Sequence, residues 1–165
     1  MSNPGTPVDS AAEEAKTLTP EPRSLTPGDC MACRTAAGES AADEVDRDDQ
    51  VVAVVSRHAV NPGHLVVVSL EHVRNALTMD DALFVHMHRV ARELALLLRK
   101  AMPDAGIMLA FNNEPPCQTV FHAHLHVVPR YAGDDMDRKF GTAVDEDERA
   151  EIAARLRPFV KAEEK

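Results

Sequence analysis

Residues 117–130 read Cys-Gln-Thr-Val-Phe-His-Ala-His-Leu-His-Val-Val-Pro-Arg, with a histidine at every second position from 122 to 126. Apolar residues occupy the positions between, and a period of two is typical of a β-strand whose side chains point to opposite faces in turn. We therefore predict a strand with His122, His124 and His126 on one face, roughly 6–7 Å apart at their Cα atoms. Such a row suits chemistry on an anionic substrate. The alternatives are a polar strand face that happens to use histidine, or a metal-binding tract.

The composition limits the classes of partner. The chain has 165 residues, a net charge of −9 and a pI near 5.3, which argues against a general nucleic-acid or membrane-surface partner, since both are polyanions. The N-terminal residues lack the basic and apolar regions of a secretion signal, and no run approaches the ~20 apolar residues of a membrane span. We expect a cytoplasmic protein. In a reducing compartment its three cysteines are not a disulfide framework.

The chain divides into an arm and one folded domain. Residues 1–28 hold five of the eleven prolines and show no apolar periodicity, so we predict a disordered N-terminal arm over 1–28 and a folded domain over 29–165. In the domain, an acidic run over 38–50 is interpreted as a solvated face with a short edge strand. Strands are predicted over 51–56 and 64–70. Consecutive strands without intervening helices favour an antiparallel meander over a Rossmann-type sheet.

One helix is predicted before the last two strands of the chain and another after them. A long helix begins after Thr78, which caps it with Asp81, and its apolar stripe has helical spacing. The stripe consists of Leu83, Met87, Val90, Leu94 and Leu97. A strand from Gly106 to Asn112 is expected to pair with the histidine strand. Residues 145–160 are predicted to form a closing amphipathic helix.

Several motifs resemble the histidine triad (HIT) family of nucleotide hydrolases and nucleotidyl transferases. The segment H-A-H-L-H-V-V-P-R matches the pattern His-x-His-x-His followed by two apolar residues, and it is preceded by G-I-M-L-A-F-N-N and Q-T-V-F. The upstream N-P-G-H-L-V-V-V-S-L-E-H-V and the Cys30-Met-Ala-Cys33 motif are also similar to the family. The resemblance covers about residues 30–135. It implies a HIT-like α+β fold, an antiparallel sheet with one long helix and a C-terminal helix, and a homodimer.

A metal site is expected at the start of the histidine strand. By itself the C-x-x-C motif is compatible with zinc, a redox dithiol or chance, and zinc is favoured because no thioredoxin-like context surrounds it. The resemblance implies that the ligands are Cys30, Cys33, His72 and His122. Two thiolates and two imidazoles close a tetrahedral set, so this Zn²⁺ is expected to be structural. The alternative for His72 is a surface residue at a strand end.

The resemblance also assigns the catalytic roles. It makes His124 the nucleophile, which attacks phosphorus and forms a nucleotidyl-histidine intermediate. Its other ring nitrogen should donate to a backbone carbonyl, in similar proteins that of the first triad histidine, here His122. His126 is expected to hydrogen-bond the phosphate or protonate the leaving group. A third histidine goes with hydrolysis in the family, whereas a glutamine goes with transfer. A divalent cation carried by the substrate is compatible with this chemistry.

Substrate-binding residues follow from the same likeness. The resemblance points to Gln118, Thr119 and Asn112, with Asn113 as the alternative to Asn112. His64 is expected to support the site, or else to be a core histidine satisfied by backbone groups.

The sequence departs from the family pattern at three places. Ser56 stands where many relatives carry the acidic residue that grips the ribose hydroxyls. The loop Glu114-Pro115-Pro116-Cys117 replaces a glycine-rich one and has two fewer N–H donors. Glu71 replaces a basic residue that often precedes the closing histidine. Leaving-group and nucleoside preferences are therefore expected to differ from those of similar proteins.

The predicted function is hydrolysis of a nucleoside phosphoramidate or dinucleoside polyphosphate at the α-phosphorus. One alternative is a nucleotidyl transferase or phosphorylase that uses the same intermediate. A second is a zinc-stabilised module that binds nucleotides without turnover.

Overall fold

The computed structural model describes residues 27–39, 43–134 and 142–160. Its strands are β1 (Glu44–Arg47), β2 (Val51–Val55), β3 (His58–Ala59), β4 (Leu65–Ser69), β5 (Gly106–Phe111), β6 (His124–Arg130) and β7 (Thr142–Ala143). Its helices are α1 (Met31–Ala36), α2 (Asp81–Ala101) and α3 (Glu146–Val160), and a 3-10 turn covers Pro27–Asp29. The predicted arm lies outside the described residues except for positions 27 and 28, which belong to this turn.

Five strands form an antiparallel sheet in the order β1-β2-β4-β6-β5. The predicted meander of three strands is confirmed as β1, β2 and β4, and the strand pairing with the histidine strand is confirmed as β5. The fold is therefore the expected α+β architecture. A two-stranded ribbon of β3 and β7 was not predicted, because each strand is only two residues long.

One face of the sheet builds the core with α2 and α3. The apolar stripe of α2 is buried along its whole length in the core of the chain. It packs on alternate residues of β2, β4 and β6, which are Val51, Ala53, Val55, Leu65, Val67, Leu125 and Val127. Burying such side chains contributes roughly 1.5–3 kcal/mol each, so this layer dominates the stability of the domain. The predicted closing helix is α3, which buries Ala153 and Leu156.

The other face of the sheet carries α1 and the site. Val52, Val54, Val66 and Val68 pack with Cys30 and Ala32 on this side. Register places His124 opposite Val68 and His126 opposite Val66 in the β4–β6 pair. Both histidines therefore belong to the face away from α2.

Three details of the local structure differ from expectation. The helix cap is Asp80, whose side chain accepts from the Leu83 backbone N–H, and Thr78 lies in the preceding turn. Strand β6 begins at His124, so residues 117–123, including His122, form a loop. The acidic run is only partly solvated, because Asp43 is buried. Within the described residues, no helix combines the length and apolar character needed to cross a bilayer.

Candidate active site and metal centre

His124 is held with one ring nitrogen fixed as a donor. Its Nδ1 lies 2.7 Å from the carbonyl oxygen of His122, and a carbonyl can only accept. Nδ1 must therefore carry the proton, which leaves a lone pair on Nε2. Burial lowers the pKa of His124 from its ordinary value of 6.5, although the hydrogen bond to His122 opposes this shift. The ring is thus kept in the neutral form with Nε2 available for attack on an electrophile.

A second relay of hydrogen bonds fixes the tautomer of His126. The backbone N–H of Val60 donates to His64 Nδ1 at 3.2 Å, so His64 must carry its proton on Nε2. That nitrogen lies 3.0 Å from Nδ1 of His126, which therefore accepts. His126 is left with a proton on Nε2, where it acts as a donor. The two imidazoles of β6 consequently present one acceptor and one donor, with ring centroids 4.9 Å apart.

Burial and mutual repulsion disfavour protonation of both rings in this relay. The pKa of His64 falls to about 4, mainly by burial and then by the charge of His124. The pKa of His126 falls to about 3, again mainly by burial, with His124 and His64 adding repulsion. The relay is therefore neutral at physiological pH, as the tautomer assignment requires.

Both catalytic candidates line a cavity of about 780 Å³. The volume falls within the range of small-molecule sites in proteins. Much of the wall is apolar, with Met31, Ala32, Val54, Val66 and Val68 contributing. Polar side chains from several separate segments complete the lining, and they include Asp43, Ser56, Arg57, His58, His64, Asn112, Thr119 and Arg130.

The loop before β6 divides its polar residues between the cavity and the protein interior. Asn112 and Thr119 line the cavity. Asn113 does not share that role, because its Oδ1 accepts from the Ala76 backbone N–H at 3.0 Å. Of the two asparagines considered from the sequence, Asn112 is therefore the one placed to contact a ligand.

Gln118 is placed differently from the direct substrate contact expected of it. Its side chain is buried and makes four hydrogen bonds within the protein. Nε2 donates to the carbonyls of Arg74 and Val120, and Oε1 accepts from Asn75 Nδ2 and the Glu114 N–H. Because both ends of the amide are engaged, Gln118 holds the loop in shape, whereas its neighbour Thr119 lines the cavity.

A salt bridge that the sequence did not suggest closes this loop. Arg74 donates from Nε and Nη2 to the two carboxylate oxygens of Glu114, at 2.9 and 2.8 Å. Asn75 adds a third hydrogen bond to Glu114 at 2.6 Å, and the Arg74 guanidinium lies 4.6 Å from the centroid of the Phe121 ring. The hydrogen bonds from Arg74 are the main reason that the pKa of Glu114 falls to about 2. This Arg74–Glu114 clamp joins the segment before α2 to the loop that carries Asn112 and Thr119.

Ser56 lies in the cavity wall, but its hydroxyl is engaged locally. Oγ donates to the His58 carbonyl at 3.1 Å and accepts from the His58 N–H at 3.3 Å. These bonds form a tight turn at the end of β2. Ser56 is therefore a weak candidate for the acceptor of ribose hydroxyls.

The four expected metal ligands lie close together, as the resemblance implied, and they are Cys30, Cys33, His72 and His122. Their ligand atoms all lie within 4.8 Å of one another. His122 Nε2 lies 2.8 Å from the Ser69 carbonyl, so its lone pair is on Nδ1, which faces the thiols of Cys30 and Cys33 at 3.6 and 3.4 Å. His72 Nδ1 is 3.0 Å from Cys33 Sγ. His72 is exposed but is part of the cluster.

The geometry and chemistry of this cluster fit zinc. Ligand atoms around a tetrahedral Zn²⁺ with two sulfur and two nitrogen ligands stand roughly 3.3–3.8 Å apart. The three sulfur–nitrogen distances of 3.0, 3.4 and 3.6 Å are close to this range. Burial and the neighbouring Cys30 raise the pKa of Cys33 to about 11. A bound dication would offset that penalty, because a coordinated thiol is deprotonated. All four protein ligands are present, so no coordination position is left for substrate.

Comparison with known proteins identifies the family. The model of the HIT domain matches residues 37–133, which is more than half of the chain. An uncharacterised HIT-like protein of Methanocaldococcus jannaschii is 31% identical over 121 residues, which cover 72% of this chain and 94% of the relative. The chain therefore belongs to the HIT family.

Two solved structures show the same fold. A Zn-bound histidine triad family protein from Mycobacterium smegmatis superimposes with a TM-score of 0.70 at 24% identity, covering 83% of this chain and 99% of that one. Diadenosine triphosphate hydrolase of Plasmodium falciparum superimposes with a TM-score of 0.65 at 15% identity, covering 73% and 78%. At these identities the two superpositions show a shared fold.

Proposed function

We propose that this protein hydrolyses nucleoside phosphoramidates or dinucleoside polyphosphates at the α-phosphorus, with His124 as the nucleophile. The observation that carries the proposal is the pair of fixed tautomers on β6, an acceptor nitrogen on His124 beside a donor nitrogen on His126. Both side chains line one cavity together with Asn112 and Thr119. The proposed substrates supply the electrophilic phosphorus and the anionic oxygens that such a pair would engage.

The reaction would proceed in two displacements. In the first, the lone pair on His124 Nε2 forms a bond to phosphorus while the bond from phosphorus to the leaving group breaks. A polyphosphate would leave as its anion, whereas the leaving nitrogen of a phosphoramidate would take a proton from solvent and depart as the amine. In the second, water attacks the same phosphorus and gives up a proton to solvent, the N–P bond breaks and a nucleoside monophosphate is released. The His122 carbonyl would stabilise the positive charge on the His124 ring in the intermediate, because it accepts from Nδ1.

His126 would act mainly as a hydrogen-bond donor. Its Nε2–H would stabilise the charge on a phosphoryl or leaving-group oxygen, while His64 keeps the ring in this tautomer. Asn112 and Thr119, which line the same cavity, would hold the phosphate. Gln118 would act through the loop, since its amide is engaged within the protein.

Zinc at Cys30, Cys33, His72 and His122 would have a structural role. It would fix the loop containing His122, whose carbonyl orients the nucleophile. No other site among the described residues gathers three metal-ligating groups of this kind. A divalent cation, if the reaction needs one, would arrive on the phosphates of the substrate, and assays with and without Mg²⁺ test that requirement.

The proposal includes a homodimer in the cytoplasm. Strand β5 is an edge of the sheet and exposes Met108 and Leu109, and nearby α2 exposes Phe84 and Val85. Phe84 also stacks with Phe111 of β5, which shares a strand face with Leu109. Phe84, Leu109 and Phe111 therefore offer an apolar surface that a second copy could cover. Light scattering of the wild type and of Val85→Asp tests the dimer. A reducing compartment would keep Cys30 and Cys33 available as thiol ligands.

Steady-state kinetics of His124→Ala and His124→Asn test the proposed function. Adenylyl and guanylyl phosphoramidates and dinucleoside polyphosphates serve as substrates, with His88→Phe on α2 as a matched control. We expect turnover to fall by at least ~10³ in both His124 variants, with folding retained. Turnover equal to the wild type would contradict the mechanism.

The same assays separate the alternative functions. Inorganic phosphate added as a competing acceptor would yield a nucleoside diphosphate if the protein were a phosphorylase. Nucleotide binding by the wild type without any product would identify a non-catalytic module.

A further inference from the structure

A buried carboxylate lies in the cavity wall but has no part in the chemistry described above. Asp43 directly precedes β1 and is only 3% exposed. Among the described residues that line the cavity it is the one carboxylate. The same cavity is lined by Val55, Ser56 and the apolar residues Ala32 and Val54.

Only one of the two carboxylate oxygens is used within the protein. Oδ2 accepts from Nε of Arg149 at 3.1 Å, in an ion pair that is buried on both sides. Arg149 belongs to α3 and also donates from Nη1 to the Val144 carbonyl. Oδ1 of Asp43 has no hydrogen-bond partner among the described residues. A buried charged acceptor without a donor is unfavourable and rare in folded proteins, so its presence in a cavity wall needs a reason.

We propose that Asp43 Oδ1 accepts a hydrogen bond from a donor group of the nucleoside. The inference rests on the proposed function, because it needs a nucleotide in this cavity. The donor would be a ribose hydroxyl or an amino group of the base, both of which offer the same N–H or O–H chemistry. Ser56 does not fill this role, since its hydroxyl is engaged with His58.

Arg149 determines how the carboxylate would bind. It engages Oδ2 and leaves Oδ1 as the oxygen that has no donor among the described residues. The C-terminal helix would thereby contribute to nucleoside recognition, although none of its residues lines the cavity. A merely structural ion pair would be expected to satisfy both oxygens.

The test is nucleotide binding by calorimetry, with Asp43→Asn as the variant. Asparagine keeps the shape of aspartate, but its carbonyl would face Arg149 and its NH₂ would occupy the position of Oδ1. The donor group of the nucleoside would then face the NH₂ donor of asparagine, and no hydrogen bond could form. The ligands are adenosine 5′-monophosphate, its 2′-deoxy and 3′-deoxy analogues, and purine riboside 5′-monophosphate, which lacks the amino group. Asp46→Asn on β1, outside the cavity lining, is the matched control.

We expect Asp43→Asn to bind adenosine monophosphate about 10- to 100-fold more weakly than the wild type, as for loss of a charge-assisted hydrogen bond. Asp46→Asn should bind like the wild type. One of the three analogues should bind the wild type more weakly than adenosine monophosphate does, by a similar factor. Asp43→Asn should bind that analogue and adenosine monophosphate with equal affinity. Loss with a deoxy analogue assigns a ribose hydroxyl as the donor, whereas loss with purine riboside monophosphate assigns the amino group.

The wild-type measurements decide the outcome even if Asp43→Asn fails to fold. If the wild type binds all four ligands with equal affinity, the assignment of Asp43 is overturned while the proposed function stands. The assignment is also overturned if folded Asp43→Asn matches the wild type for every ligand. If the wild type binds no nucleotide at all, the proposed function and the assignment fail together.

Discussion

His64 donates a hydrogen bond from Nε2 to Nδ1 of His126, across 3.0 Å. The direction of this bond is fixed by the Val60 backbone N–H, which occupies the other nitrogen of His64. The Val60 N–H therefore determines the tautomer of His64 and, through it, the tautomer of His126. His124 has its tautomer fixed independently by the His122 carbonyl. The site presents a lone pair and a donor side by side without any charged imidazole.

The relay predicts that His64 is a positioning residue for His126. In His64→Phe the ring of His126 loses its partner and no longer has a preferred tautomer, so we expect kcat to fall about 10- to 100-fold. His64→Gln can still donate from its amide, and it should recover part of the loss. Steady-state kinetics and thermal unfolding of both variants provide the measurements. Equal activities for the Phe and Gln variants would contradict a role through hydrogen bonding.

The lowered pKa values predict that the acid limb of activity is shifted to lower pH. Catalysis needs His124 neutral, and its pKa lies below the ordinary 6.5, while those of His64 and His126 are about 4 and 3. We expect the acid limb of kcat/KM to have its midpoint below pH 6.5.

The same shifts give the sign of the stability change. Unfolded imidazoles take up protons near pH 6.5, whereas the folded ones resist until lower pH, so stability should decrease as pH falls below 6.5. The pH profile of kcat/KM, with unfolding followed at each pH, tests both statements. A midpoint of the acid limb above pH 6.5 would contradict the first statement, and stability that does not decrease below pH 6.5 would contradict the second.

The metal cluster predicts about one zinc ion per chain. Cys33→Ser should lose the metal and lower the unfolding midpoint by at least about 5 °C, since a bound structural metal contributes to folding free energy. Cys117→Ser is the matched control, because Cys117 is exposed and lies outside the cluster. Elemental analysis and calorimetry provide the readouts. An ordered wild type that contains no zinc would remove the structural role.

The Arg74–Glu114 clamp predicts an effect on substrate binding. Glu114→Gln removes the bidentate salt bridge and loosens the loop that carries Asn112 and Thr119, so we expect KM to rise roughly 3- to 10-fold. Glu39→Gln, which breaks the exposed Arg34–Glu39 pair outside the cavity lining, is the control. An unchanged KM in Glu114→Gln would show that the loop holds its shape without the clamp.

The sequence was sufficient for the features that depend on periodicity and motif. The stripe from Leu83 to Leu97 follows helical spacing, and burial of that stripe in the core follows directly from it. Polar and apolar residues do not alternate in Val51–Val55, where all five residues are apolar and buried. A continuous apolar run bounded by turns still predicts a strand that is buried on both faces. The four metal ligands came together as the resemblance implied.

Features that depend on tertiary contacts were not accessible from the sequence. Asp43 lies in an acidic run, and only the approach of Arg149 from 106 residues away shows that it is buried. The row of three histidines does not form one strand face, because residues up to 123 belong to a loop in which Gln118 satisfies backbone groups. Neither contact leaves a periodic signal in the chain.

Trapping the covalent intermediate tests the central claim most directly. Wild-type protein would be mixed with a dinucleoside polyphosphate, quenched during turnover under conditions that preserve N–P bonds, digested and examined by mass spectrometry. We predict a nucleoside monophosphoryl group on the peptide that contains His124, and its absence from the His124→Ala peptide. Rapid turnover with no nucleotide on His124 at any quench time, or with the group on another residue, would contradict the account.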